Sequence, residues 1–369
     1  MIHKPLDGQH PTGKEAFMLI RNYSLQVYPR HLRADEKKIE GDFFIPEPWR
    51  MRGYLLSPNI TNQGLLYRGQ TLDWNSYGEI PPCVSRFQKI HDDKVERMYW
   101  RLRRFDLHNL LMSNPLFRML SWGVDLPLKK QRYFRSSSSS LLHSYGLPSV
   151  YVSLTSSLRT ALFYAVTDYD ERTKTFVPSQ KKYGILSFYR LEKPFSPSSR
   201  VLPIGLQVFE RPGRNKEFVC RLGQNEDYNQ LTEVEGFLFE QSKDVSEWAL
   251  QMFDDGRKLM PPESVLLNQI KKSEGMISPS SLRWHEKLRP FFQEGLDEVK
   301  AKYTVTENVR DLLRFDLHEL AAYYGDIDEW WMKFCSKIYF EVDSNLDRKY
   351  FEQLPQNGYY RRFFDRLRV

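Results

Sequence analysis

Tyr67-Arg68-Gly69-Gln70 sets an arginine and then a glycine at the end of a short apolar run, Leu65-Leu66-Tyr67. An arginine delivered by a buried strand suits phosphate recognition, because its planar fork makes paired, charge-assisted hydrogen bonds. A glycine beside it lets a ligand approach the backbone closely. The same two residues also fit a plainer role, an arginine closing an ion pair beside a turn glycine. Further along, Tyr145-Gly146-Leu147-Pro148-Ser149 reads as a helix stop, followed by a strand over 150–155 and an apolar helix over 158–166. Ser153 and Thr155 share one face of that strand, and Ser156 ends it. Ser156 is equally suited to cap the helix that follows. A late strand opens with Glu233-Val234-Glu235, two carboxylates on one face. Glu-x-Glu is also the ordinary pattern of a solvated strand edge.

The elements that must position these groups can be read from periodicity. A short helix is expected near 14–22 and strands at 64–68, 183–190, 201–202, 206–209 and 231–240. Residues 92–121 have helical spacing, with Val95, Met98, Leu102 and Phe105 on one side and a kink or new start at Asn114-Pro115. The serine run 136–140 precedes Leu141, Leu142 and Tyr145, so 129–145 is expected to be at least partly helical, with Gly146 as its C-cap. From about 280 the spacing is helical throughout, with helices expected at 280–303, 307–324, 327–340 and 346–366. Arg104-Phe105-Asp106-Leu107-His108 recurs as Arg314-Phe315-Asp316-Leu317-His318 without a fixed surrounding period, so no repeat architecture follows.

Composition bounds the class. The chain has 369 residues, room for two domains, with 41% hydrophobic and 27% charged residues, an ordinary balance for a soluble globular protein. No apolar run approaches the roughly 18 residues of a membrane span, and the polar N-terminus does not read as a signal peptide. The three cysteines, Cys83, Cys220 and Cys335, are widely spaced, which argues against a disulfide framework or structural zinc. A reducing cytoplasm is the expected location. Net charge of +7 permits an acidic partner without demanding one. The aromatic-basic run Tyr359-Tyr360-Arg361-Arg362-Phe363-Phe364 fits either nucleic-acid stacking or an amphipathic terminal helix.

Across residues 60–245 the chain resembles the FRG-domain family. Tyr67-Arg68-Gly69-Gln70 matches the family's opening aromatic-Arg-Gly-Gln. Pro82-Cys83-Val84-Ser85-Arg86 matches its Pro-x-x-x-Arg, and Glu96 fits a glutamate in the next helix. The family's Gln-His-Tyr-Gly-Leu-Pro-Thr, hydrophobic strand and Ala-Leu-x-Phe-Ala helix read here as His143-Ser144-Tyr145-Gly146-Leu147-Pro148-Ser149, residues 150–155 and Ala161-Leu162-Phe163-Tyr164-Ala165. A late Gln-x-Gly-x-Phe corresponds loosely to Val234-Glu235-Gly236-Phe237-Leu238-Phe239. The family's Gln-His, Asp-Trp and late Gln are replaced by His143-Ser144, Ser153-Leu154 and Val234.

The order of an arginine, a Ser-x-Thr-Ser strand and a Glu-x-Glu is also similar to the mono-ADP-ribosyltransferase pattern. That resemblance implies cleavage of the nicotinamide glycosidic bond of NAD through an oxocarbenium-like state. Glu235 is then the carboxylate that stabilises the developing charge, and Glu233 orients or activates the acceptor. Arg68 binds pyrophosphate or ribose, with Tyr67 beside it, and the Gly69 backbone pairs with the nicotinamide carboxamide. Ser156 or Thr155 bonds the ribose and holds the glutamate, and Tyr164 or Tyr189 stacks on nicotinamide. No Gly-rich phosphate loop and no Gly-x-Ser-x-Gly elbow occur, and a His143, Ser156, Glu235 triad is discounted accordingly.

The expectation is an α+β protein. An arm, residues 1–59, precedes an FRG-like mixed-sheet core with inserted helices, ADP-ribosyltransferase-like, over 60–275, and an all-α module over 280–369 follows. NAD is the expected substrate, with no metal and with a protein, nucleic acid or small molecule as acceptor, in a cytoplasmic defence or toxin effector. The alternative is a non-catalytic ligand- or nucleic-acid-binding FRG module with a helical interaction surface.

Overall fold

The computed structural model describes residues 2–3, 10–27, 44–49, 53–58, 64–73, 79–90, 92–122, 133–134, 138–191, 199–260, 265–288, 295–309 and 314–337. Its architecture is mixed α/β. Seven strands form the main sheet: β1 (Ile2–His3), β2 (Leu65–Leu72), β3 (Tyr151–Thr155), β4 (Tyr183–Arg190), β5 (Val201–Pro203), β6 (Glu217–Arg221) and β7 (Val234–Glu240), in the order β1-β7-β4-β2-β3-β6-β5. Neighbours are antiparallel, except that β1 runs parallel to β7. β4 is buried from Tyr183 to Tyr189, as a strand covered on both faces must be.

Helices α1 (Gly13–Val27), α2 (Lys94–Ser113), α3 (Pro115–Trp122), α4 (Ser138–Ser144), α5 (Leu158–Val166) and α6 (Lys243–Met252) frame the sheet. Ala16, Ile20, Ala161, Phe163 and Ala249 pack with Tyr67, Phe188 and Phe239 on one face. Leu66, Leu154, Tyr189, Phe218 and Tyr228 form a second cluster on the other. Ser157, and not Ser156, caps α5: its hydroxyl accepts from the Thr160 N–H at 3.2 Å. Asn114 ends α2 and starts α3, its side chain accepting from Leu116 and Phe117 at the expected Asn-Pro break.

α4 ends in a Schellman motif. Leu147 N–H bonds the Leu142 carbonyl and Gly146 N–H the His143 carbonyl, with Gly146 at φ +91°. Leu142 and Leu147 add the apolar contact that accompanies this motif. The turn fixes His143 in the last turn of α4 and feeds the chain through Pro148 into β3.

One expected strand is corrected. No strand forms over 206–209: Gly205 turns at φ +62°, and Leu206 makes a backbone bond to Leu56 in place of a ladder. Helix α7 spans Val265–Lys272. Beyond it, α8 (Pro279–Leu288) and α9 (Leu296–Lys302) pack on α2. α10 (Leu317–Tyr324) and α11 (Ile327–Ser336) carry Leu320, Tyr324, Trp331 and Phe334 into a cluster shared with Leu107, Phe117 and Phe209. The helix expected at 346–366 and the aromatic-basic run within it lie outside the described residues.

The Arg-Phe-Asp-Leu-His echo separates into two roles. Asp316 caps α10, accepting from the His318 and Glu319 N–H groups. Asp106 sits buried within α2 and accepts from the Ser278 N–H and from the hydroxyls of Ser278 and Ser281. Among the described residues no helix is long and apolar enough to cross a membrane, and no group of three or more His, Cys, Asp or Glu could hold a metal ion.

Candidate functional site: a carboxylate among arginines in a split sheet

β2 and β3 meet at one residue pair, Tyr67 with Thr155. Beyond it the strands part, and a cavity of about 1230 Å³ opens along the split. Arg68 takes part of the role of the missing ladder. Its Nη1 donates to the Ser153 carbonyl at 2.8 Å, its guanidinium lies 5.8 Å from the centre of the Tyr228 ring, and its buried Nε has no partner.

Tyr67, Arg68, Gly69, Thr155 and Tyr164 all line this cavity. Among the expected site residues, Ser156, Glu233 and Glu235 do not. The register gives the reason for Glu235. Glu235, Phe188, Tyr67, Thr155 and Glu217 lie opposite one another in a line across five strands. At about 4.8 Å per strand, Glu235 stands roughly 14 Å from Thr155 along that line. There it pairs with Arg190. Glu233 lies just before β7, its carboxylate accepting from the Thr232 hydroxyl. The Ser156 hydroxyl is buried without a partner, while its N–H bonds the Lys216 carbonyl.

Gly69 is explained by packing. A Cβ there would overlap the Ala161 carbonyl oxygen and sit 2.8 Å from the Ala165 nitrogen, so the missing side chain makes room for α5 and not for a ligand. Tyr164 does not stand free as a stacking ring. Its hydroxyl donates to Asn215 Oδ1 at 2.8 Å, and burial raises its pKa to about 12.

Of the acidic residues that line the cavity, Glu217 is the buried one, at the first residue of β6 and opposite Thr155. It is 5% exposed, and burial raises its pKa against the pull of Ser144, Arg211, Ser153 and Arg86. The preceding turn locks it in place. Thr155 Oγ1 donates to the Asn215 carbonyl at 2.6 Å, and Asn215 Nδ2 bonds the carbonyls of Arg211 and Leu259. The helical turn Glu210–Arg214 brings Arg211 to the cavity. Arg86 arrives on a second turn, Arg86–Lys89, started by a Ser85–Gln88 capping box, and its Nη1 bonds the His143 carbonyl at 3.1 Å.

A directional hydrogen-bond chain ends on this carboxylate. Ser153 Oγ donates to Glu217 Oε1 at 2.8 Å, so it must accept from His143 Nε2 at 2.9 Å. His143 then carries its proton on Nε2, and Nδ1 accepts from Ser149 Oγ at 2.7 Å. Burial first, then Arg86, Arg68 and Arg211, lower the His143 pKa to about 3. Between pH 6.5 and 3 the unfolded residue binds a proton that the folded one refuses. Its contribution to stability is therefore complete above pH 6.5 and is lost as pH falls toward 3. Glu217, with its pKa raised, works in the opposite sense as its carboxyl ionises. The expected result is therefore site-resolved: the His143 ring nitrogens hold one neutral pattern from pH 8 to 5, measured by ¹⁵N NMR. A midpoint near 6.5 would show that the chain is not assembled.

Sequence reasoning missed Glu217, Arg211 and Asn215. The available signal was a charged residue opening an apolar run, Glu217-Phe218-Val219-Cys220, which reads as a carboxylate carried by a buried strand. Arg86 was visible only as a motif position, and His143 as a motif position and a member of the discounted triad. Comparison of the chain with protein-family models, with curated proteins and with solved structures finds no match to any of them.

Proposed function

We propose that this chain is an FRG-like ADP-ribosyltransferase that breaks the nicotinamide glycosidic bond of NAD, with Glu217 as the carboxylate that stabilises the oxocarbenium-like state. In this reading the core is ADP-ribosyltransferase-like and the helices after 280 form its C-terminal module, in a cytoplasmic protein. The observation that carries it is the Ser153–Glu217 hydrogen bond on adjacent strands, beside the Arg68 strand, in a cavity that Arg86 and Arg211 also line. An arginine, a Ser-x-Thr strand and a carboxylate thus occur in the order that the sequence suggested, with Glu217 in place of Glu235.

The chemistry assigns each part. Arg68, Arg86 and Arg211 all act on His143 and outnumber Glu217 beside it, which suits a diphosphate. Once the diphosphate neutralises them, Glu217 is the anion left near the ribose. Ser153, oriented by His143, fixes the carboxylate rotamer before the reaction begins. Breaking the C1′–N bond releases neutral nicotinamide, its electron pair leaving with the pyridine nitrogen. The ribosyl cation is then captured by an acceptor hydroxyl, amine or water, which loses a proton.

The test is nicotinamide release from NAD by the full chain, with NAD binding followed by calorimetry. Glu235→Gln should leave both unchanged, since its carboxylate is engaged with Arg190 away from the cavity. Binding without release would support the non-catalytic alternative. Absence of binding would remove the NAD reading altogether.

A further inference from the structure

The cavity is larger than one ligand needs: about 1230 Å³, against roughly 300–1000 Å³ for a typical small-molecule site. Its far end is built by α2 and α7. Arg103 of α2 lines it, yet is only 1% exposed. Nη2 donates to Ser273 Oγ at 2.8 Å, while Nε and Nη1 donate to nothing in the protein. Buried guanidinium N–H groups are rarely left without an acceptor, because desolvation is not repaid.

The nearby acids do not fill this vacancy. Asp106 is taken up by Ser278 and Ser281, and Glu274 is exposed. The Tyr99 hydroxyl, the neighbour that acts most strongly on Arg103, already accepts from the Gly275 N–H, and its ring stacks on Tyr303 at 4.0 Å. Trp100, Leu267, Ile270 and Lys271 line the same cavity as Arg103. Arg86 and Arg103 are held by different partners: Arg86 bonds the His143 carbonyl, whereas Arg103 bonds Ser273.

We propose that the Arg103 end of the cavity is a second ligand site, which takes a nucleoside phosphate. Arg103 and Lys271 hold the phosphate, and Trp100 with Leu267 and Ile270 forms the flat apolar slot for the base. A peptide carboxylate would use the cations but leave that slot unfilled. The site does not rest on the NAD reading, since it uses none of the groups around Glu217.

The experiment is calorimetric titration of AMP into the full chain, its Arg103→Met, Lys271→Ala and Arg86→Met variants, and inorganic phosphate as a second probe. AMP should bind, and Arg103→Met should weaken it at least tenfold. Lys271→Ala, at an exposed position, should weaken it severalfold even if Arg103→Met lowers stability. Arg86→Met should leave AMP binding unchanged while it weakens NAD binding. The proposal is overturned if AMP does not bind, or if its binding follows Arg86 and ignores Arg103 and Lys271. Phosphate binding as tightly as AMP would overturn the base slot. NAD binding is scored separately, so failure of one site leaves the other measurable.

Discussion

Glu217→Gln should abolish most turnover of NAD while leaving NAD binding nearly intact. The substitution keeps the volume of the side chain and an acceptor oxygen for Ser153, so the strand pairing of β6 with β3 has no reason to change. What is lost is a preorganised negative charge beside the developing oxocarbenium ion. Removal of one such electrostatic contact costs roughly 3–4 kcal/mol, or about 10²–10³ in kcat. Loss in kcat with unchanged affinity marks a group that acts in the transition state. The wild-type rate should also have an acid limb. Burial holds the Glu217 pKa above its ordinary 4.5, so activity falls as pH drops through that raised value. The measurement is nicotinamide release across pH 4–9 with calorimetric Kd for both proteins. Equal turnover in Glu217→Gln would sink the assignment of the carboxylate.

Gly69→Ala should destabilise the fold by about 3 kcal/mol or more, a large fraction of the stability of a typical domain. The new methyl group would overlap the Ala161 carbonyl and crowd Ala161 C at 2.7 Å and Ala165 N at 2.8 Å. These are backbone atoms of α5, which cannot move aside as a side chain can. α5 would have to lift from β2, loosening the Tyr67, Ala161 and Phe188 cluster. A urea midpoint and Tm for Gly69→Ala test this directly. Wild-type stability together with weakened ligand binding would show that Gly69 serves the ligand and not the packing.

The sequence by itself determined the local elements whose signals are local. The α5 helix was readable over its full length from its apolar spacing, and β4 from its aromatic and aliphatic residues, broken only by Gly184 and Ser187 before Arg190. The Gly146 cap followed from a glycine placed after Leu141, Leu142 and Tyr145, because few other residues accept positive φ. Tyr67, Arg68, Gly69, Thr155 and Tyr164 line one cavity, where motif and element coincide. Only the tertiary structure decided which carboxylate joins them. Glu235 and Glu217 both sit on strands of the same sheet, and nothing in either segment states its neighbour. Strand order is set by pairing between distant segments, here Tyr151–Thr155 with Glu217–Arg221, and by which apolar faces can be buried together. That pairing sets Glu217 one strand from Thr155 and leaves Glu235 three strands away with Arg190 as its partner. The role of Gly69 was decided in the same way, by the distance at which α5 crosses β2, a quantity that no local spacing of residues contains.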